Sequence, residues 1–568
     1  MIEYTEQYFR GLDLWSLWVD QAFVNASADG LRNFYLYSLS DECEKCPYTR
    51  IHEIKSEYDE TNIIELDVAH RLYFRVFERN LGKYAYDNDS FVCQFDGNLG
   101  EFGVYDLRIK DNGTTTCELE TAKEPVSIYL PFLTIALIAL TLISLVVGGK
   151  YLARRIRRIE PQLTPGSPSS TQNDIKKNAR LRSVDTFRGI AITLMIFVNS
   201  GGGHYWWIEH ATWNGLHIAD LVFPWFLFIM GVCIPISIRS QLSKNIPRVS
   251  ILQTITIRSL KLFLIGLCLN SISGPAMSDL RIFGVLQRFG IAYFVVSTIH
   301  LYCYKENEQF VNPVCARNVD IFRLWRHWLI VGILTLVYLI IIFFVPAPGC
   351  PSGYFGPGGK HFMGIYSNCT GGIAGYIDRM ILGDKHLYQH PTARYLYDAQ
   401  SFDPEGPFGC LPTTLQVLLG LQCGVLIITY TNAVSRIRRL ASWGVALGLL
   451  GGILCSFSKN DGWIPVNKNL WSVSYVLVTG SLAFFLLLIC FILIDVKHYW
   501  SGAPFLFAGM NAIILYVGHT VFHKMLPWHW NIGRMNTHFM LMLEALWNTI
   551  MWNIIAYILY KKNVFYSL

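Results

Sequence analysis

The chain has 568 residues, of which 52% are hydrophobic and 15% charged, and its formal net charge is +6. Soluble globular proteins carry about a quarter of their residues as charged side chains, so this composition excludes an ordinary soluble protein. We expect the lipid bilayer, and no nucleic acid, as a partner.

Apolar runs recur along the chain, and about 20 such residues suffice to cross a bilayer. We therefore predict a fold that is mainly α, a polytopic membrane protein with about 11 transmembrane helices and a small N-terminal luminal β domain. The predicted spans are centred at 130–147, 189–200, 218–236, 255–269, 283–302, 329–345, 411–430, 443–456, 472–494, 506–521 and 543–560.

Basic residues predict the orientation, because cytoplasmic loops are enriched in Lys and Arg. The segment after the first span is strongly basic, and alternate counting puts four further basic segments on the same side. The N-terminus is therefore predicted to be luminal and the C-terminus cytosolic. The basic residues are Lys150, Arg154, Arg155, Arg157, Arg158, Lys176, Lys177, Arg180 and Arg182, then Lys244, Arg248, Lys305, Arg317, Arg323, Arg436, Arg438, Arg439, Lys561 and Lys562.

Four regions follow from this topology. Residues 1–127 are predicted to form a luminal β-rich domain, and 128–148 the first transmembrane helix. Residues 149–188 are predicted to form a cytosolic linker, and 189–568 a transmembrane bundle with a luminal loop at 346–410. Within the first region, strand-like pieces are separated by Asn, Asp and Gly turns. These pieces lie at 34–38, 62–67, 71–77 and 103–109.

The two regions placed in the lumen carry glycosylation patterns and cysteines. Patterns for N-linked glycosylation begin at Asn25, Asn88, Asn112 and Asn368. We expect most cysteines there to pair in an oxidising compartment, with one left over because their number is odd. For Cys43-x-x-Cys46, a small structural disulfide is favoured over a metal or redox role. The cysteines are Cys43, Cys46, Cys93, Cys117, Cys350, Cys369 and Cys410.

The stretch 189–239 is very apolar but is interrupted by polar and titratable residues. Such side chains are costly at membrane depth, so they indicate a functional site. We therefore expect chemistry or transport inside a membrane. The interrupting residues are Asn199, Gly201, Gly202, Gly203, His204, His210, Asn214 and Asp220.

A series of motifs in colinear order resembles a known family. They are Leu181-Arg-Ser-Val-Asp-Thr-Phe-Arg-Gly189, Phe197-Val-Asn199, Gly201-Gly-Gly203, His210-Ala-Thr-Trp-Asn-Gly-Leu216, Ala219-Asp-Leu-Val-Phe-Pro-Trp225, Gly284-Val-Leu-Gln-Arg288, Gly375-Tyr-Ile-Asp-Arg379, His386-Leu-Tyr-Gln-His-Pro391, Tyr397, Asp403-Pro-Glu-Gly406, Pro465-Val-Asn-Lys-Asn-Leu-Trp471 and Tyr516-Val-Gly-His519. From the first span to the C-terminus, the chain resembles the lysosomal heparan-α-glucosaminide N-acetyltransferase family.

The resemblance implies a reaction divided across a membrane. Acetyl-CoA would come from the cytosol, and the terminal non-reducing glucosamine of a heparan sulfate oligosaccharide would be acetylated in the lumen. Charged, bulky CoA is not expected to cross, so a pore through the bundle must let the thioester meet the amine. The resemblance also implies a lysosomal membrane location and a homodimer.

We expect a site for the CoA phosphates at the cytosolic mouth of the bundle. Guanidinium groups bind phosphate oxygens in bidentate fashion, and the candidates are Arg180, Arg182, Arg188 and Arg258. Basic residues at this boundary are also what orientation alone demands. For Arg188 the alternative is a pair with Asp185, one helical turn away.

His210 is the predicted catalytic residue, because an amine must lose a proton to attack a thioester and imidazole titrates in the useful range. The resemblance implies the same role. The imidazole could act as general base in a ternary complex or carry the acetyl group as an acetyl-imidazole. The resemblance also implies a catalytic role for Asn199, as oxyanion donor or holder of the amine. An interhelical hydrogen bond is the alternative.

Further residues are candidates for binding the acceptor sugar. Asp220 could orient the imidazole or a sugar hydroxyl, or make a structural hydrogen bond. Arg281 or Lys468 could receive a sulfate or a uronate, since the glycan is anionic. Asn214 and Asn469 lie in motifs that carry the resemblance.

Other functional classes remain open at this stage. A transporter of anionic sugars is the main non-enzyme alternative, because polar residues in spans also mark substrate pathways. An O-acyltransferase with another glycan acceptor is a second. The sequence contains neither Gly-x-x-x-x-Gly-Lys-Ser/Thr nor His-Glu-x-x-His, so we expect neither a P-loop pump nor a catalytic metal.

Overall fold

A computed structural model of the protein describes residues 6–28, 32–55, 62–111, 115–159, 181–272, 274–305 and 318–566. It has an N-terminal β-rich part followed by a helical bundle. The predicted fold class, mainly α and membrane-spanning with an N-terminal β region, is confirmed.

The N-terminal part is a sandwich of two sheets that share one apolar core. Its strands are β1 (Tyr8–Phe9), β2 (Leu12–Asp13), β3 (Gln21–Ala28), β4 (Phe34–Ser40), β5 (Tyr48–Ile54), β6 (Ile63–Asp67), β7 (Leu72–Phe77), β8 (Tyr84–Ala85), β9 (Cys93–Gly97), β10 (Val104–Asp111) and β11 (Thr115–Lys123). The sheet orders are β11-β10-β3-β6 and β8-β5-β4-β7-β9. Alternate residues of β3, namely Ala22, Val24 and Ala26, enter the core, as the two-residue period of a strand requires.

The bundle is built from helices joined by loops of very different length, the longest of which lies between Phe344 and Cys410 and contains two short helices. These are α1 (Tyr129–Ile159), α2 (Arg182–Asn199), α3 (Ile218–Leu242), α4 (Arg248–Asn270), α5 (Val285–Cys303), α6 (Val319–Phe322), α7 (Trp325–Phe344), α8 (Gly372–Leu382), α9 (Ala393–Tyr397), α10 (Cys410–Thr429), α11 (Ala433–Leu454), α12 (Val473–Cys490), α13 (Phe505–Met510), α14 (Ala512–Val521) and α15 (His538–Lys561).

Seven helices in the described part of the chain are long and apolar enough to cross a membrane. They are α3, α4, α7, α10, α11, α12 with its π-helical extension to Val496, and α15. Helices satisfy their own backbone hydrogen bonds, which hydrocarbon requires, so the chain is a multi-pass membrane protein. The larger count of eleven spans stays a prediction. Helices α3 and α10 are mostly buried and form the centre of the bundle.

Two glycines bring α2 close to α13. A Cβ on Gly189 would overlap the carbonyl oxygen of Phe505, and a Cβ on Gly509 would overlap that of Asp185. Only glycine permits this approach of two backbones. The contact fixes the N-terminal half of α2, which carries Arg188.

The cysteines pair as expected. Most of those assigned to the lumen form disulfides, and Cys410 is a buried free thiol. The predicted structural bridge between Cys43 and Cys46 is among them. The pairs in the described residues are Cys43–Cys46, Cys93–Cys117 and Cys350–Cys369.

The β-sandwich is anchored on the bundle by polar contacts around Tyr397. The Tyr397 hydroxyl donates to the carbonyl oxygen of Glu42 (3.0 Å) and accepts from the backbone N–H of Glu44 (3.1 Å). The ammonium of Lys459 lies 2.6 Å from the Glu42 carboxylate. Tyr397 and Lys459 belong to two different loops of the bundle, so the sandwich holds both in place.

Candidate functional site

A cavity of about 540 Å³ runs through the bundle between α2, α3, α4, α5 and α14. Arg188 and Asn199 both line it and are eleven residues apart on α2, which is about 16 Å along a helix axis. We call the part lined by Arg188 and Arg258 the arginine end. The part lined by Asn199, His210, Lys468 and Glu405 is the histidine end.

A glycine turn connects α2 to the loop that carries His210. Gly201, Gly202 and Gly203 have φ values of 89°, 54° and 78°, a left-handed conformation that side chains disfavour. The turn ends α2 directly after Asn199. The Nδ1–H of His538 donates to the Gly203 carbonyl oxygen (2.8 Å), which fixes the turn against α15.

His210 is held by the buried carboxylate of Asp220 at the start of α3. The imidazole Nδ1 lies 2.7 Å from Asp220 Oδ1. Asp220 Oδ2 accepts from the backbone N–H groups of Ala211 (3.1 Å) and His217 (3.0 Å). Because a carboxylate only accepts, we assign the imidazole proton to Nδ1 and the lone pair to Nε2. Asp220 therefore orients the imidazole, one of the three roles that the sequence left open for it.

Lys468 places a positive charge beside the same imidazole. Its Nζ lies 3.0 Å from His210 Nδ1, 3.2 Å from Nε2 and 3.8 Å from Asp220 Oδ1. The loop that carries Lys468 is joined to the His210 loop, because the Asn467 Nδ2–H donates to Asn214 Oδ1 (3.0 Å). An ammonium in this position can stabilise negative charge that develops next to the imidazole.

Asn199 contacts a second buried histidine. Its Nδ2–H donates to His519 Nε2 (3.0 Å), while the His519 Nδ1–H donates to the carbonyl oxygen of Leu515 (3.0 Å). The interhelical hydrogen bond that was the structural alternative for Asn199 is therefore present. The carbonyl oxygen of Asn199 has no partner among the described residues, and the side chain lines the cavity.

Arg281 is committed to two carboxylates. Its guanidinium donates to both oxygens of Asp403 (2.8 and 2.6 Å) and to Glu405 Oε2 (2.7 Å). Burial opposes ionisation of Glu405, but the positive charges of Arg281, Lys468 and Arg288 outweigh it and hold the pKa of Glu405 below its ordinary value. Arg281 thus positions a carboxylate at the cavity and has little capacity left for a sulfate or a uronate.

The arginine end contains two guanidinium groups with few strong partners. Arg188 lies 3.3 Å from Asp185 Oδ1, 3.4 Å from the Gly509 carbonyl oxygen and 3.1 Å from Cys233 Sγ. Arg258 stacks over Tyr293, 4.6 Å from the ring centre, and its Nε has no hydrogen-bond partner among the described residues. Arg188 therefore pairs with Asp185 and also lines the cavity.

The other predicted site residues that the structure describes do not line the cavity. Arg182 is exposed in the first turn of α2, and Arg180 falls outside the described residues. Asn214 also donates to Asn460 (3.0 Å), so it braces two loops. Asn469 is buried and is not among the described residues that line the cavity.

Three of the predicted glycosylation sites can be located. Asn25, Asn88 and Asn368 are exposed, the first two on the β-sandwich and the third in the long loop before α10. Asn112 falls outside the described residues. Exposure is what attachment of a glycan requires.

Sequence reasoning gave no role to two residues of the histidine end, Glu405 and His519. Both lie in motifs that carried the resemblance, Asp403-Pro-Glu-Gly406 and Tyr516-Val-Gly-His519. A carboxylate and an imidazole near the ends of predicted spans are signals of function. Only the fold shows that they share a site with His210, because they are distant from it in the sequence.

Comparison with known proteins agrees with the motifs. Residues 180–313 match the family described as "Heparan-alpha-glucosaminide N-acetyltransferase, catalytic". The Homo sapiens heparan-alpha-glucosaminide N-acetyltransferase is 41% identical over 523 residues, which cover 84% of this chain and 78% of the human protein. The Mus musculus protein of the same name is 37% identical over 574 residues, covering 94% and 86%. The chain therefore belongs to the heparan-α-glucosaminide N-acetyltransferase family.

Proposed function

We propose that the protein transfers an acetyl group from acetyl-CoA to the amine of a terminal non-reducing glucosamine of heparan sulfate. The two substrates enter one cavity from opposite ends. The observation that carries the proposal is that this cavity joins the guanidinium groups of Arg188 and Arg258 to the imidazole of His210. Membership of the acetyltransferase family supplies the reaction class.

The arginine end is proposed to receive acetyl-CoA from the cytosol. CoA carries a diphosphate and a 3′-phosphate, which are good acceptors for guanidinium N–H groups. Arg188 makes only contacts of 3.1 Å or longer, and Arg258 has an unpartnered Nε. Both can therefore turn donors to a phosphate without breaking a strong bond. Apolar side chains between the two ends leave room for the pantetheine arm.

At the histidine end, His210 is proposed to remove the proton that the amine must lose. Nε2 takes that proton, and the buried Asp220 stabilises the resulting imidazolium. The amine nitrogen then bonds to the acetyl carbon, the C–S bond breaks, and the CoA thiolate takes the proton from Nε2. Nε2 in turn takes the second proton of the nitrogen and releases it to solvent. If His210 carries the acetyl group instead, the same Nε2 bonds to the acetyl carbon while the C–S bond breaks and CoA leaves as the thiolate. The amine then attacks the acetyl carbon in a second step, and the C–N bond to Nε2 breaks.

Lys468 and Asn199 are proposed to assist the same step. The Lys468 ammonium lies within 3.2 Å of both ring nitrogens, where it can stabilise the oxyanion of a tetrahedral intermediate. One N–H of Asn199 is used by His519. Its carbonyl oxygen is free to accept from the incoming amine, and its second N–H is free to donate to the oxyanion, so both roles remain open to it.

Sealed vesicles containing the full chain test the proposal. Labelled acetyl-CoA is added outside, and a glucosamine-ended oligosaccharide is trapped inside. We expect label on the trapped amine, and no label when His210→Ala replaces the wild type. Movement of intact sugar without acetylation would instead show a carrier. Transfer only when both substrates share a compartment would contradict entry from opposite ends.

The lysosomal location, the luminal N-terminus and the homodimer are part of the same proposal. Family membership supports them, and glycosylation provides a direct check of orientation. Enzymatic removal of N-glycans should increase the mobility of the protein, and substitution of the exposed Asn88 or Asn368 by Gln should reduce that change. Modification of a cytosolic loop would contradict the orientation.

A further inference from the structure

The cavity has an acidic side chain whose role is separate from that of His210. Glu405 is the only carboxylate among the described residues that line the cavity. Asp220, by contrast, is fully buried and faces His210. The guanidinium of Arg281 is shared between Glu405 and Asp403, so Glu405 keeps the capacity to bind a second positive group from the cavity.

One oxygen of Glu405 is held and the other is free. Oε2 accepts from Arg281 (2.7 Å), and the Glu405 backbone N–H donates to Asp403 Oδ1 (3.0 Å). Oε1 has no hydrogen-bond partner among the described residues, and it is not one of the fully buried atoms. Arg281 therefore fixes the carboxylate and leaves one acceptor oxygen unpaired on a residue that lines the cavity.

The surrounding charges keep this carboxylate ionised. Arg281, Lys468 and Arg288 are the cations that act on it, and together they outweigh the effect of burial on its pKa. Asp403 already balances part of the charge of Arg281 through two hydrogen bonds. An ammonium group can thus approach Glu405 Oε1 without competing with Arg281 for the same oxygen.

We propose that Glu405 binds the ammonium group of the acceptor sugar and selects an amino sugar over the corresponding hydroxy sugar. This inference rests on the proposed function and names the group that recognises its substrate. An ammonium–carboxylate hydrogen bond is charge-assisted, and it is stronger when the carboxylate is buried, as that of Glu405 is. A hydroxyl at the same carbon forms only a neutral-donor bond, so it is rejected.

The same contact also serves the reaction. After His210 Nε2 has taken one proton, the amine nitrogen attacks the acetyl carbon and becomes positively charged again. Glu405 Oε1 stabilises that charge while Lys468 stabilises the oxyanion, so opposite charges of the intermediate face opposite partners. When the C–S bond breaks, the thiolate takes the first proton from Nε2, and the nitrogen then loses its second proton to Nε2.

Binding of two matched small sugars tests this role without requiring turnover. Methyl glucosaminide and methyl glucoside of the same anomer differ only in the amine and the hydroxyl. Their dissociation constants are measured on the full chain in vesicles with CoA bound. We expect the wild type to prefer the glucosaminide, and Glu405→Gln to reduce that preference about 10- to 100-fold. Affinity for CoA should not change.

Two variants keep the result interpretable. The Glu405→Gln variant retains an oxygen that can accept from Arg281. The Glu405→Asp variant retains the negative charge, so it should keep most of the preference for the amine. Asp403→Asn removes the other carboxylate that binds Arg281 but does not line the cavity. It should lower stability and leave the preference intact.

An unchanged preference in Glu405→Gln would overturn the inference, as would an equal loss in Asp403→Asn. Either result, together with normal acetyl transfer by the wild type, would leave the proposed function standing. Absence of transfer from acetyl-CoA to any amine by the wild type would instead defeat the proposed function. The two failures are therefore distinguishable.

Discussion

The two ends of the cavity differ in how completely their polar side chains are paired. At the histidine end, the Asp220 carboxylate accepts from two backbone N–H groups and from His210, all within 3.1 Å. At the arginine end, Arg188 has contacts of 3.1 to 3.4 Å, and the Nε of Arg258 has no partner among the described residues. The polar side chains of the histidine end are therefore fixed before substrate binds, whereas the arginine end has guanidinium donors without strong partners.

This difference matches two different tasks. A group that moves a proton must be held in one geometry before the reaction, since reorientation adds to the barrier. A site for a flexible, highly charged cofactor gains more from free donors, because phosphates supply many acceptors of their own. The structure therefore favours chemistry at the histidine end and cofactor binding at the arginine end.

The largest expected effect comes from His210→Ala. Loss of the base should reduce the rate of acetyl transfer about 10²- to 10⁴-fold, with little change in binding of CoA at the far end. His204→Ala is a matched control, because His204 is exposed and pairs with Glu209 (3.0 Å) outside the cavity. Similar losses in both variants would show that the loop, and not the imidazole, matters.

Asp220→Asn should have the next largest effect. An amide can present an N–H to His210 Nδ1, which favours the wrong tautomer and removes the charge that stabilises the imidazolium. We expect kcat to fall about 100-fold and the pH profile of the rate to change. The affinity for both substrates should stay the same. A kcat close to that of the wild type would mean that Asp220 serves only to cap α3.

Arg258→Gln should act on the cofactor alone. We expect the KM for acetyl-CoA to rise about 10-fold through loss of one charge-assisted contact, with kcat and acceptor binding unchanged. Lys261→Gln is the control, because Lys261 is exposed on the same helix and does not line the cavity. An effect on the acceptor would contradict the division of the cavity into two ends.

The sequence alone predicted those site residues that lie close together along the chain. The stretch 189–239 contains Asn199, His210 and Asp220, and the costs of polar groups in apolar runs indicated a site there. The predicted strand-like pieces also coincide with β4, β6, β7 and β10. Local patterns were sufficient in both cases, because side-chain periodicity and polarity are local properties.

The remaining parts depend on contacts between distant segments. Lys468 is 258 residues from His210, and Arg281 is 122 residues from Asp403. From the sequence, Arg281 was a candidate for binding sulfate, since an unpaired luminal cation would do so. Its partners come from a separate loop, and the packing of the bundle that brings them together has no local signal.

The smallest expected effect concerns how the β-sandwich supports the histidine end. Glu101 of the sandwich is buried beside Asp20 and beside His538, which also donates to Gly203 in the loop before His210. Burial raises the pKa of Glu101 to about 7, whereas an unfolded glutamate titrates near about 4.3. Between these values the folded protein binds a proton that the unfolded chain does not, so stability falls as pH rises through this window.

Glu101→Gln should remove that pH dependence without changing the rate. The neutral amide resembles the protonated acid, so the unfolding midpoint should rise more at pH 7.5 than at pH 5, by an amount that corresponds to about 2 kcal/mol. Glu120→Gln, at an exposed position of the same sandwich, should keep the wild-type dependence. If Glu101→Gln also kept the wild-type pH dependence, the loss of stability at higher pH would have to come from groups in the bundle. The sandwich would then support the His210 loop equally well at every pH.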